Sequence, residues 1–180
     1  MIMIHCHLHK LVEFVKNRLI HSSNDSSTQE IITRAVQVFY DQSVSELIVN
    51  NGYLYYAKYS RRFTILDHTV PLIIKRVYRK GSSADAVLLS FMIPYSSRTA
   101  DDFTAVLTSC GDRSFTVEES GNSFDYDAVR LIRWKFNRYW QSMLNTRRIY
   151  LNTDITTNCI TLLGRQFLQN RKLRCQLVFT

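Results

Sequence analysis

Arg130, Trp134 and Arg138 stand four residues apart. In a helix that spacing stacks them on one side. A guanidinium grips phosphate in a bidentate fork, and an indole offers a nucleobase a stacking platform. The chemistry these residues suggest is therefore anion recognition, with nucleic acid as its most demanding form. Placed at about 100° per residue, residues 128–148 put Val129, Ile132, Phe136, Tyr139, Trp140 and Met143 on the other side, as an apolar stripe. Asn137, Gln141 and Arg148 flank the basic face. Arg and Trp at this spacing also pair with each other by cation–π contact, and Trp134 can instead pack beneath a neighbouring loop.

The charge distribution points the same way. Residues 1–127 carry 13 Lys+Arg against 14 Asp+Glu, whereas residues 128–180 carry 10 Lys+Arg against the single acid Asp154. One-sided positive charge attracts phosphate, acidic protein or anionic lipid, and says nothing of fold. The predicted anion-binding set is Arg130, Arg133, Trp134, Arg138, Arg147, Arg148, Arg171, Lys172 and Arg174, and Arg165 extends the same footprint. No RNP motif, zinc-finger spacing or helix-turn-helix signature is legible.

Other groups invite chemistry less well. His5, Cys6, His7 and His9 would converge on a metal only from a strand, since on a helix they fan apart. A fraying terminus is the expectation for that segment, and no metal site or cofactor is predicted. Tyr53, Tyr55, Tyr56 and Tyr59 suit either a stacking sheet face or half-buried strand positions. Arg61-Arg62, Lys75-Arg76 and Arg79-Lys80 read as solvated strand ends. Asp101-Asp102, Glu118-Glu119, Asp125 and Asp127 are acidic, with the last two suited to a helix N-terminus. His68 lacks a nucleophile beside it. There is no nucleophile elbow, zinc-protease, P-loop or dinucleotide motif, so the expectation is a protein that is not an enzyme. Cys6, Cys110, Cys159 and Cys175 are too dispersed for a zinc ribbon or redox pair.

The elements that must carry these residues follow from periodicity. Leu8, Leu11, Val12, Val15 and Leu19 predict a helix over 8–20. Ser27-Thr28-Gln29-Glu30 is a capping box, predicting a second helix to about Val49, stopped by Asn50-Asn51-Gly52. Aromatic and β-branched runs predict strands over 53–59, 63–66, 72–78 and 86–93, with Lys80-Gly81-Ser82-Ser83 as a hairpin turn. Residues 103–107 and 114–117 are expected as a further hairpin. Helical period returns over 126–145. The Thr-rich run 155–163 suits helix or strand, and 173–179 alternates as a strand.

Length and composition, at 180 residues, 46% hydrophobic and 21% charged, suit one domain spanning 1–180 with a basic C-terminal third from 128 to 180. The expected fold class is α+β: an antiparallel sheet of about five or more strands, packed with two N-terminal helices and one basic amphipathic helix. The expected function is a non-enzymatic basic binding protein that docks RNA or a nucleoprotein through that helix and the C-terminal segment. The alternative is a structural assembly protein of the viral matrix type, which forms a homo-oligomer and coats a nucleocapsid or an anionic membrane surface. No apolar run approaches the ~20 residues of a bilayer span, and the N-terminal residues lack a signal-peptide layout. A cytoplasmic or nuclear location is expected, or a virion if the protein is viral.

Overall fold

The computed structural model describes residues 1–22, 27–109, 111–147, 155–164, 168 and 174–179, with the backbone alone for 143, 147, 155 and 156. The fold is α+β. A five-stranded mixed sheet has the order β2-β3-β4-β1-β7, formed by Leu54–Ile65 (β2), His68–Tyr78 (β3), Asp85–Leu89 (β4), Ile2–Ile4 (β1) and Gln176–Val178 (β7). The pairs β2–β3 and β3–β4 are antiparallel, and β1 runs parallel to both β4 and β7.

The placement of β1 corrects the expectation of an antiparallel sheet, and the His5–His9 segment expected to fray is held, since the His5 amide donates to the Val178 carbonyl at 2.7 Å and the first helix begins at Leu8. Ile2, Met3 and Ile4 are buried and lie between β4 and β7. A strand enclosed on both faces has no polar alternation, so it reads only as a short apolar run.

Two N-terminal helices cover this sheet. Leu8–Ile20 (α1) buries Leu8, Leu11, Val12 and Val15. Thr28–Asn51 (α2) begins where Ser27 Oγ accepts from the Glu30 amide and ends at Gly52, whose φ of 65° is the left-handed conformation that glycine adopts without steric cost. Helix α2 also finishes the edge of β3, which pairs with β4 only at Arg76 and Val77. Gln37 Oε1 accepts from the Ile73 amide at 2.8 Å, and its Nε2 donates to the Ile73 carbonyl at 3.3 Å. Gln29 donates to the Thr69 carbonyl. The buried Tyr40 hydroxyl accepts from the Lys75 amide at 2.8 Å and donates to the Val87 carbonyl at 2.9 Å, bridging the gap where β3 and β4 part. Burial pushes that hydroxyl well above its ordinary range, so it remains a donor. Pro71 shares the odd-numbered parity of this edge, where it leaves no N–H unmatched. An otherwise open strand edge is thus satisfied by side chains.

Strand β2 is continuous where two strands were expected, and it turns into β3 through Leu66 and Asp67 at φ 50° and 58°, a two-residue hairpin loop of positive φ. A second correction follows at residues 103–107, expected as a strand. They lie in the helix Ala100–Thr108 (α3), because Thr99 and Asp102 form a reciprocal capping box. The partner of Phe115–Val117 (β5) is instead Asn122–Phe124 (β6), joined by a tight turn.

A second apolar cluster joins α3, the β5–β6 hairpin and the helix Tyr126–Tyr139 (α4) through Val106, Val117, Phe124, Val129 and Ile132. The buried side chains of α4, Val129 and Ile132, belong to this cluster and not to the core of the five-stranded sheet. The helix expected over 126–145 breaks at Trp140, where φ is −125°, and resumes as Gln141–Arg147 (α5). Residues Ile155–Leu163 (α6) are helical and stop at Gly164, which settles the Thr-rich run.

Candidate anion-binding face

Helix α4 starts on Asp125, whose carboxylate accepts from the Ala128 amide at 2.7 Å, and carries Asp127 in its first turn and Arg138 in its last. Both signs complement the helix dipole. Val129 and Ile132 anchor one side against α3 and the β5–β6 hairpin. That anchoring turns Arg130, Trp134 and Arg138 outward together, and all three are exposed.

Trp134 keeps 51% of its surface in solvent. The Arg138 guanidinium carbon lies 5.3 Å from the indole centroid and 5.6 Å from that of Tyr139, and the two rings meet edge to face at 6.3 Å. The cation–π pairing foreseen from the spacing is therefore present, and it does not bury the tryptophan. Stacking engages the flat face of a guanidinium, while its N–H donors radiate in the plane.

The remaining members of the predicted set divide. Arg133 turns toward α3, donating to the Ser109 carbonyl at 2.7 Å and the Val106 carbonyl at 3.3 Å, and pairing with Asp112 at 3.2 Å. It neutralises carbonyls at the C-terminus of α3 and stands apart from the outward face. Arg174 is exposed in the lead-in to β7, where its carbonyl accepts from the Met1 ammonium at 3.3 Å. Arg148, Arg165, Arg171 and Lys172 lie outside the described residues, as does the side chain of Arg147.

The apolar stripe is narrower than expected. Phe136 and Trp140 are half-buried beside Leu144 and Cys159, but Tyr139, the last residue of α4, is 54% exposed, and the side chain of Met143 lies outside the described residues. The His5, His7 and His9 rings pack in sequence, with centroids 4.9 Å and 5.5 Å apart. Among the described residues no three His, Cys, Asp or Glu side chains gather to hold a metal ion.

Two arrangements were not foreseen. A buried polar network ties α3 to the β5–β6 hairpin and β2. The Asp102 carboxylate accepts from the Thr99 amide at 2.9 Å, from Asn122 Nδ2 at 3.0 Å and from the Ser120 hydroxyl. Asn122 also donates to the Thr64 carbonyl and accepts from the Asp67 amide. Next to it, burial and then the Glu119 carboxylate push the Asp101 carboxyl up to about 6. The second arrangement is a cleft of about 750 Å³ beneath β2, to which Lys58, Tyr59, Arg61, Arg62, Arg76 and Tyr95 contribute. Its only signal in the sequence was the pairs Arg61-Arg62 and Lys75-Arg76, read as strand ends.

The chain matches no family model, and it is similar to no curated protein and to no solved structure. No helix among the described residues is long and apolar enough to cross a membrane.

Proposed function

We propose that this protein is a non-enzymatic binding protein that docks an anionic partner, RNA or a nucleoprotein, through the outward face of α4, with the basic C-terminal segment extending the footprint. The observation that supports it is the exposure of Trp134 between Arg130 and Arg138. A tryptophan left half in water forgoes about half of the roughly 1.5–3 kcal/mol that full burial of a large apolar side chain is worth. An indole flanked by guanidinium groups suits a stacked base with phosphates on either side. Arg133 belongs to the scaffold of this face and serves to set the angle between α4 and α3.

The test is fluorescence anisotropy with a labelled single-stranded RNA across a salt series. Each phosphate neutralised on a single strand contributes about 0.7 to the slope of log K against log salt. Replacing Arg130 and Arg138 together with Gln should flatten that slope by about 1.4, because two contacts are removed. Affinity that is flat in salt for the native chain, or a double variant that binds like it, would refute the reading.

A further inference from the structure

The cleft beneath β2 is built differently from the face of α4, and shares no residue with it. Its cations come from two neighbouring strands. Arg61 faces Leu72 across the β2–β3 ladder, and Ala57 faces Arg76, so Tyr59, Arg61 and Arg76 project from one side of the sheet. Among the described residues the one acid lining the cleft is Asp85, and its carboxylate is held by the Met1 ammonium at 2.6 Å. The cleft is therefore cationic on balance.

Arg61 is the informative residue. Its side chain is half-buried, and among the described residues no carboxylate forms an ion pair with it. One nitrogen donates to the Ile93 carbonyl at 3.0 Å and to the Ser96 carbonyl. Burial holds the guanidinium below its ordinary range, and the phenols of Tyr59 and Tyr40 only partly oppose this. A buried charge without a counter-charge is costly. Tyr59, Arg61, Arg76 and Tyr95 all line this one cleft, and the charges of Arg61 and Arg76 act on the Tyr59 hydroxyl against the burial that raises it.

The two carbonyls that Arg61 grips belong to one turn. The Ser96 amide donates to the Ile93 carbonyl at 3.1 Å, closing Ile93-Pro94-Tyr95-Ser96. Proline at the second position and positive φ at the third are the marks of a type II turn, whose third position favours glycine or asparagine. Here it holds Tyr95 at φ 64°, with 64% of its surface exposed. A bulky residue in that conformation is strained and persists only where the surroundings enforce it, a pattern concentrated at ligand clamps. Arg61 helps to hold this turn by gripping two of its carbonyls, together with the Thr64 amide on the Ser97 carbonyl, so the same side chain lines the cleft and steadies the tyrosine at its mouth.

We propose that this cleft is a nucleotide site. The phosphate of a nucleoside monophosphate sits against the Arg61 and Arg76 guanidiniums, and the base lies on Tyr95. The volume falls within the range of small-ligand pockets, about 300–1,000 Å³. Arg76 already donates to the Ala84 carbonyl at 3.0 Å and lies 5.5 Å from the Tyr56 centroid, so it is positioned before any ligand arrives. Prepositioned guanidinium groups recognise phosphate without a cost of ordering.

The experiment is isothermal titration of the full chain with AMP, UMP, adenosine and inorganic phosphate at moderate salt. At least one of the two nucleotides should bind saturably, and adenosine about tenfold or more weaker, as expected for loss of a charged hydrogen-bonding group. Arg76→Gln should weaken the nucleotide about tenfold. Arg61→Gln should do so too, but it also frees the turn and can unfold the chain. Tyr95→Gly removes that ambiguity, since glycine suits the turn: melting temperature should hold or rise while nucleotide affinity falls about tenfold through lost stacking. The Arg130→Gln/Arg138→Gln variant should bind nucleotide like the native chain. Absence of saturable binding by both nucleotides, equal affinity for AMP and adenosine, unchanged affinity in Arg76→Gln and Tyr95→Gly, or loss of nucleotide binding in the α4 variant would each overturn the proposal.

Discussion

Asp101 offers a test of the second cluster that does not depend on any partner. It sits in the first turn of α3, half-buried, and faces Glu119 in the turn between β5 and β6. Burial comes first among the causes that raise its pKa to about 6, followed by the charge of Glu119 and, more weakly, that of Asp102. An unfolded aspartate titrates near 3.9. The folded state therefore binds this proton more tightly than the unfolded state. The stability contributed by this group is complete below about pH 4 and is lost as pH rises through about 6. Two pKa units correspond to about 3 kcal/mol, and partial solvent screening reduces this to about 1–2 kcal/mol. Asp101→Asn keeps the shape and a donor toward Glu119 but carries no charge. It should stabilise the protein by about 1–2 kcal/mol at pH 7.5, with the advantage vanishing near pH 4. Urea unfolding of the native chain, Asp101→Asn and Glu119→Gln at pH 4, 5, 6 and 7.5 measures it. Comparing curves at each pH cancels the other titrating groups, which both proteins share. An Asn variant less stable than the native chain at pH 7.5, or an advantage that does not change between pH 4 and 7.5, would refute the reasoning.

Four further outcomes are expected. Ile132→Ala should cost about 2–5 kcal/mol in thermal or chemical unfolding, whereas Trp134→Ala should cost well under that yet weaken RNA binding by about 1–3 kcal/mol in the anisotropy assay; equal destabilisation would place Trp134 against another element. Asp102→Ala should destabilise by roughly 2–4 kcal/mol in urea, since it removes a helix cap and strands buried donors on Ser120 and Asn122. Gly121→Ala should lower the melting temperature, because at φ 63° its new Cβ would stand 2.6 Å from Leu66 Cδ2. Burial pushes the Cys6 thiol up to about 11 and the Cys159 thiol to about 12, so mass spectrometry after brief iodoacetamide treatment at pH 7.5 should find both unmodified.

The elements most legible in the sequence were those fixed by local interactions. Helix α1 follows from its apolar spacing, and α2 from Ser27 at one end and Gly52 at the other, because caps act within a few residues. The failures share one physical cause, dependence on distant partners. Strand β1 is three residues long, and its register with Val87–Leu89 and Gln176–Val178 spans most of the chain. Nothing local marks Ile2–Ile4 as a strand. Helix α3 was misread for a different reason. Phe103, Ala105, Val106 and Leu107 form a run too short to show a period, so the decision rested on the cap. Thr99 with Asp102 is a capping box, but the adjacent Asp101 made the pair look like surface acid.

The same distinction governs the two candidate binding surfaces. The face of α4 was readable because helical geometry places residues i and i+4 together whatever else the chain does. What geometry could not supply was which neighbour competes for each arginine: Arg133 is drawn to the carbonyls of Val106 and Ser109, while Arg130 and Arg138 are left outward. The cleft required three pieces remote in sequence, the pleat of β2 and β3, the turn at Pro94-Tyr95, and the pairing of Asp85 with the N-terminus. In isolation Arg61 reads as half of a solvated basic pair. In the fold Arg61 is half-buried and Arg62 exposed, as the period of two along a strand separates them, and both contribute to the cleft. That separation of adjacent arginines turns a surface charge run into one half-buried cation and one solvated one, and the half-buried cation, held against the Pro94-Tyr95 turn, is the one placed to take an anion.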